Sequence, residues 1–177
     1  MKNKVLAGVL LVLSVVTATP LWADDKPKEL AWQDMIPPDA PPEIPQMTPL
    51  HDLSKIGSMN IEAAPAAKQS LPDAPVVKAL NGQHVRLPGY IVPLEVSEEG
   101  RTTEFLLVPY FGACIHVPPP PSNQIVHVTS ELGVKVDELY QPYWIEGDMQ
   151  VKQSTSDLAD AGYSMEAQKI YVYELPE

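Results

Sequence analysis

Proline decides what this chain can fold into. Of 177 residues, 20 are proline, and most fall in two concentrations. The first lies in 24–75, where the pairs Pro37-Pro38 and Pro41-Pro42 are followed by Pro45 and Pro49. Proline removes a backbone donor and fixes φ, so this region predicts an extended arm with no regular sheet and no long helix. Leu30, Trp32, Met35 and Ile36 are apolar within it, which predicts that the part near Trp32 packs on the domain or a partner. The alanine-rich piece 60–70 is expected to form at most one short helix. The second concentration is the run Pro118-Pro119-Pro120-Pro121, inside F-G-A-C-I-H-V-P-P-P-P-S-N-Q-I-V-H-V (Phe111 to Val128).

Ahead of the arm, Lys2 and Lys4 precede an apolar run from Val5 to Val16, and Pro20 and Ala23 lead into Asp24-Asp25. That order reads as a cleavable signal peptide over 1–23, ending at Ala23. The apolar run is shorter than the roughly 20 residues a membrane span needs. The expectation is therefore export to the periplasm as a soluble chain, not membrane anchoring. Loss of Lys2 and Lys4 from the 12 basic residues leaves 10 against 23 acidic ones, a net charge of about −13. Such a chain is repelled by phosphate backbones, so nucleic acid is excluded as an expected partner.

From Val76 the pattern becomes that of strands, and a β domain is expected over 76–177. Val85, Leu87, Gly89 and Ile91 alternate with His84, Arg86, Pro88 and Tyr90, the period of two of a half-buried strand. Phe105 to Tyr110 is apolar on both faces, and Gln124 to Thr129 is a third candidate. Tyr143, Ile145, Gly147, Met149 and Val151 make the cleanest alternation. A last strand runs from about Ser164 to Glu174. Its parity shifts between Ala167 and Ile170, which predicts a bulge near Gln168-Lys169. Glu98-Glu99-Gly100 reads as a solvated hairpin turn. Ser154 to Asp157 offers helix caps for a short turn over Leu158 to Ala161, closed by Gly162. Five strands, with one helical opportunity at Val136 to Tyr140 between the third and fourth, match a five-stranded Greek-key OB-like barrel. The alternative is a small β-sandwich.

Cys114 is the only cysteine, so no disulfide can form within one chain. It is either a buried inert thiol, bonded to another molecule, or held by a metal. If 112–117 is extended, turns through the prolines and returns along Asn123 to Thr129, then Cys114 faces His127, and His116 points to the same side. Cys114, His116 and His127 are thus candidate metal ligands, in a set suited to zinc and attractive to monovalent copper. The competing reading makes Cys114 core, His116 a partner of a backbone carbonyl, and His127 an ordinary strand residue. No glycine-rich elbow or helix N-terminus follows Cys114 to stabilise an oxyanion, so no enzyme is expected. His51 and His84 are expected to face solvent, and Trp32, Trp144 and the tyrosines to supply packing area.

The words R-L-P-G-Y-I-V-P-L-E (Arg86 to Glu95), F-L-L-V-P-Y-F-G-A-C-I-H-V-P-P-P-P-S-N-Q-I-V (Phe105 to Val126) and Y-W-I-E-G (Tyr143 to Gly147) closely resemble domain-of-unknown-function family 3299. The resemblance spans roughly Val76 to Glu174. It implies an exported OB-like β domain of bacteria, often encoded near ABC transporters of the lipoprotein-releasing or macrolide-exporter permease type, in some cases under zinc-dependent control. The family's central word includes the cysteine and first histidine, here Cys114 and His116. The resulting expectation is an acidic periplasmic accessory protein that handles zinc and assists a membrane transporter. The alternative is a metal-free interaction module of an envelope complex.

Overall fold

The computed structural model describes residues 26–40, 69–114, 117–135 and 140–174. Eight strands run in the order β1 (Lys28–Glu29), β2 (Gln83–Glu95), β3 (Arg101–Val108), β4 (Val126–Lys135), β5 (Tyr143–Gln150), β6 (Ser154–Thr155), β7 (Asp160–Ala161) and β8 (Tyr163–Val172). The main sheet follows β2-β3-β4-β8-β5 and closes through a β2–β5 pairing. All its neighbours are antiparallel except β4 and β8, which are parallel. A closed ring of five strands with one parallel pair is the OB-like barrel, and closure rules out the two-sheet sandwich.

β2 is long enough to serve two partners. Gln83 to Gly89 pairs with β5, and Tyr90 to Glu95 pairs with β3. Gly89 marks the changeover, since a Cβ there would stand 2.7 Å from the Val108 carbonyl oxygen. A side chain would push β3 away at the point where β2 changes partner.

The alternation expected of β2 and β5 holds. Val85, Leu87, Ile91, Ile145 and Met149 point inward to one core with Phe105, Leu107, Val126, Val128, Tyr163 and Met165. The bulge in β8 falls where parity predicted it: Glu146 pairs with Lys169 and Gly147 with Ala167, leaving Gln168 as the extra residue. The turn at Glu98 to Gly100 is also present, tied by Ser97 N donating to Arg101 O and Gly100 N to Ser97 O.

The arm belongs to the barrel over 26–40. Lys28–Glu29 adds parallel to β2 beside Val85 and Arg86. Leu30, Trp32 and Met35 join the barrel core. Trp32 Nε1 donates to Pro88 O at 2.7 Å, and Tyr163 Oη donates to Met35 O at 2.7 Å. Burial of Trp32 contributes about 2 to 3 kcal/mol before ordering costs. The expectation that no sheet forms here fails at two residues, because 28–30 lie between Pro27 and Pro37 and keep their backbone donors; Leu30 N donates to Arg86 O.

The expected helical turn at Leu158 to Ala161 is instead the hairpin of β6 and β7. Ser156 folds its hydroxyl back on its own loop: Oγ donates to Ala159 O at 2.8 Å and accepts from Ala159 N at 3.2 Å. Four residues are too few for a helix to repay its nucleus, and the hairpin lets Ala159 and Ala161 join a second apolar cluster with Val92, Leu106, Val108, Ala113 and Ile125. The helical opportunities at 136–139 and 60–68 lie outside the described residues.

Candidate functional site

The cysteine-bearing stretch does not form a hairpin. After β3 the chain turns at Gly112 and again at Cys114, whose φ is +67°. An ordinary residue pays about 1 to 2 kcal/mol to stand in this left-handed conformation. Val117 N returns to Gly112 O at 3.2 Å, closing a small loop. The prolines then run to a 3-10 turn, Ser122–Gln124, and β4 starts only at Val126.

Because β4 pairs with β3 and β8, the neighbours of His127 are Leu106 and Ser164. The direct Cys114 to His127 pairing expected from a symmetric hairpin is therefore not formed; the positive φ at Cys114 takes the chain out of the extended register. His127 Nε2 instead meets Glu104 Oε1 at 2.8 Å. Cys114 packs against the cluster containing Leu106, the β3 residue that pairs with His127. Burial pushes the Cys114 thiol up to about 11, so at neutral pH it is a thiol and not a thiolate. His116 lies outside the described residues, and among those described no group of three or more His, Cys, Asp or Glu side chains is placed to hold a metal.

What the tetraproline word does hold is the rest of the chain. Ser122 Oγ accepts from Ala74 N at 2.9 Å, and the Ser122 backbone binds Leu71 O and Gly162 N. Asn123 Nδ2 donates to Pro75 O at 2.9 Å, and Gln124 Nε2 donates to Trp32 O at 2.9 Å. Gln69 Nε2 donates to Pro120 O and Asp160 O, and its Oε1 accepts from Asp160 N. Three consecutive polar side chains thus fasten the arm and the segment 69–77 to the barrel. Beyond this clip, Phe111 stands 57% exposed, with Tyr110 and Val117 also exposed. Tyr90 meets Phe111 edge to face at 5.9 Å. From Phe105 to Ser130 no Asp, Glu, Lys or Arg occurs, in a chain of net charge −11.

A second polar assembly sits on the outer face of β2, β5 and β8. His84 Nδ1 lies 2.9 Å from Asp148 Oδ1, and Nε2 lies 3.5 Å from Glu146 Oε1. Lys169 Nζ reaches Glu146 Oε1 at 2.6 Å, and Gln168 Nε2 donates to Asp148 Oδ2 at 3.1 Å. The bulge brings Gln168 and Lys169 to one face together. Arg86 bonds Glu29 Oε2 at 2.6 Å and lies 4.6 Å over the Trp144 ring. Glu146 is only 5% exposed; its hydrogen bond from Lys169, then His84, holds its carboxyl below the usual range. Hydrogen bonding to Asp148 raises His84 above its ordinary value. His84 was expected to face solvent and does lie on the outer face, but its partners were not foreseen. The available signal was parity: with Ile145 and Met149 inward, Glu146 and Asp148 must share the outer face that His84 and Arg86 share on β2.

The model of the family described as Protein of unknown function (DUF3299) matches residues 32–172. The chain belongs to this family. A crystal structure of a DUF3299 family protein from Pseudomonas aeruginosa PAO1 is 58% identical, with a TM-score of 0.72, over 85% of this chain and 99% of that one. No curated protein matches the chain. The matched region begins at Trp32, earlier than the Val76 suggested by the sequence words. This agrees with the structure, in which Trp32 is core to the DUF3299 barrel.

Proposed function

We propose that this DUF3299 protein is an exported, non-catalytic docking module. Its uncharged aromatic loop, centred on Tyr110 and Phe111, engages an apolar patch on an envelope protein such as a transporter permease. The observation that carries this reading is the exposed Phe111 and Tyr110 on a loop mounted on the barrel by the Tyr90–Phe111 ring contact and closed by Val117 N on Gly112 O. A rigid mount lowers the ordering cost of binding, and an exposed aromatic cluster without charge is the composition of an interface centre. The acidic remainder of the surface disfavours anionic lipid and nucleic acid. Cross-linked pull-down from membranes tests it: wild type and Cys114→Ser recover the same partner, and Phe111→Ala loses it. Equal recovery with Phe111→Ala would refute the reading.

A second reading, zinc handling through Cys114, His116 and His127, is favoured by one observation: Cys114 packs against the cluster of Leu106, which pairs with His127. Metal analysis of untagged protein decides it. Zinc bound by wild type and lost in both Cys114→Ala and His127→Gln would establish the site, and no zinc above background would remove it.

A further inference from the structure

The β2–β5 pairing closes the barrel, and His84 stands on that seam between two carboxylates of the facing strand, Asp148 and Glu146. Glu146 is tied in turn to Lys169 on β8, and Asp148 to Gln168, the bulge residue. Two residues along β2, Arg86 holds Glu29 of the arm strand. We propose that this seam is a pH-responsive clamp: protonated His84 fastens β2 to β5 in mild acid, and its deprotonation slackens the closure and the arm strand attached beside it.

Each element packed on His84 contributes to the balance. β5 presents Asp148 and Glu146; β8 presents Lys169, with Glu166 opposite Asp148; β1 presents Lys28, which bonds Gln83, and Glu29, which Arg86 pairs. Asp148 lies 2.9 Å from the imidazole; Glu146 lies 3.5 Å from it and shares the same oxygen with Lys169, while Arg86 is bonded to Glu29. The immediate field on His84 therefore favours the cation. Its folded pKa lies above the ordinary 6.5, so the contribution is complete below 6.5 and is lost as pH rises through the raised value. Glu146 acts oppositely. Its folded pKa lies below 4.5, so its contribution is complete above 4.5 and is lost as pH falls through the lowered value. The clamp is tightest between these limits.

The test is carried out on the full chain by NMR. His84 should titrate above 6.5, and the protection of β2–β5 amides, corrected for intrinsic exchange, should be lower at about pH 8 than at about pH 5.5. His84→Gln should remove this difference, while His127→Gln, on the β3–β4 face, should keep it. Asp148→Asn retains the imidazole and should lower its midpoint, which covers the case in which His84→Gln fails to fold. A His84 midpoint at or below 6.5, a pH difference that survives in His84→Gln, or a midpoint unmoved by Asp148→Asn would each overturn the proposal.

Discussion

The tetraproline loop and the β2–β5–β8 seam use polar residues in opposite ways. In the loop, the chemistry-bearing side chains are neighbours in sequence, and their role is mechanical. Ser122, Asn123 and Gln124 bond backbone groups of two distant segments, Ala74-Pro75 and Trp32. In the seam, charged groups from residues 84, 86, 146, 148 and 169 are scattered along the chain and meet only when the barrel closes. Neutral bonds to buried backbone resist change because any lost partner leaves an orphan in an apolar setting. The seam's outer pairs, His84 with Asp148 and Arg86 with Glu29, lose less, since water replaces the exposed carboxylate. The loop should therefore be rigid and costly to alter, and the seam adjustable.

The substitution expected to act most strongly empties the core beneath the arm. The Trp32 backbone carbonyl accepts from Gln124 of the clip and survives substitution, whereas its indole, which donates to Pro88 O on β2 and fills the core, is lost. Trp32→Ala should cost about 3 to 5 kcal/mol, read as a large fall in urea midpoint. A loss below about 1 kcal/mol would show that the arm is a tether. Next in size, Ser122→Ala should cost about 1 to 3 kcal/mol by orphaning the Ala74 amide. Asp148→Asn in the seam should cost at most about 1 kcal/mol. Reversal of that order would break the contrast between the two regions.

How far each region was legible follows from the same difference. The barrel strands could be read because parity is local: Val85 to Ile91 and Tyr143 to Met149 carry it openly, and even the Gln168 bulge is written in a parity shift. Seam partners depend on which strands become neighbours. His84 meets Asp148 only because β2 closes on β5, a fact no single segment contains. At the loop, proximity in sequence misled. Three candidate ligands looked like a hairpin pair, but Cys114 sits at a positive φ that ends the extended register before any pairing with Asn123 to Thr129. Nothing in a cysteine announces that conformation, which glycine usually takes. Ser156 misled for a related reason, since its hydroxyl suits a tight turn as well as a helix cap.

Cys114 gives a smaller and opposite effect. Cys114→Gly should relieve the left-handed strain and stabilise the protein by up to about 1 kcal/mol, less what the thiol contributes to the cluster of Leu106 and Val108. With its thiol pushed up to about 11, native Cys114 should react with a disulfide reagent far more slowly than free cysteine at neutral pH, and at the free rate once the chain is unfolded in urea. Fast labelling of the folded protein would mark a reactive thiolate and return weight to a metal or redox role.

The smallest effect is expected at His127, the one candidate ligand on a regular strand whose partner is described. It pairs with Glu104 at 2.8 Å on a face where both side chains reach solvent, so a double-mutant cycle of His127→Gln with Glu104→Gln should give a coupling of about 0.2 to 1 kcal/mol. Because the pair lies on the β3–β4 ladder, away from the clip and from the closing seam, neither variant should shift the His84 titration. A coupling above about 2 kcal/mol would place His127 in a network as cooperative as the clip. Repeating the cycle with zinc present separates the remaining possibility. A metal held by Cys114, His116 and His127 would stabilise only chains that keep His127, adding an apparent coupling to Cys114 that vanishes on chelation. Without such a term, His127 is a strand residue that answers to Glu104 alone.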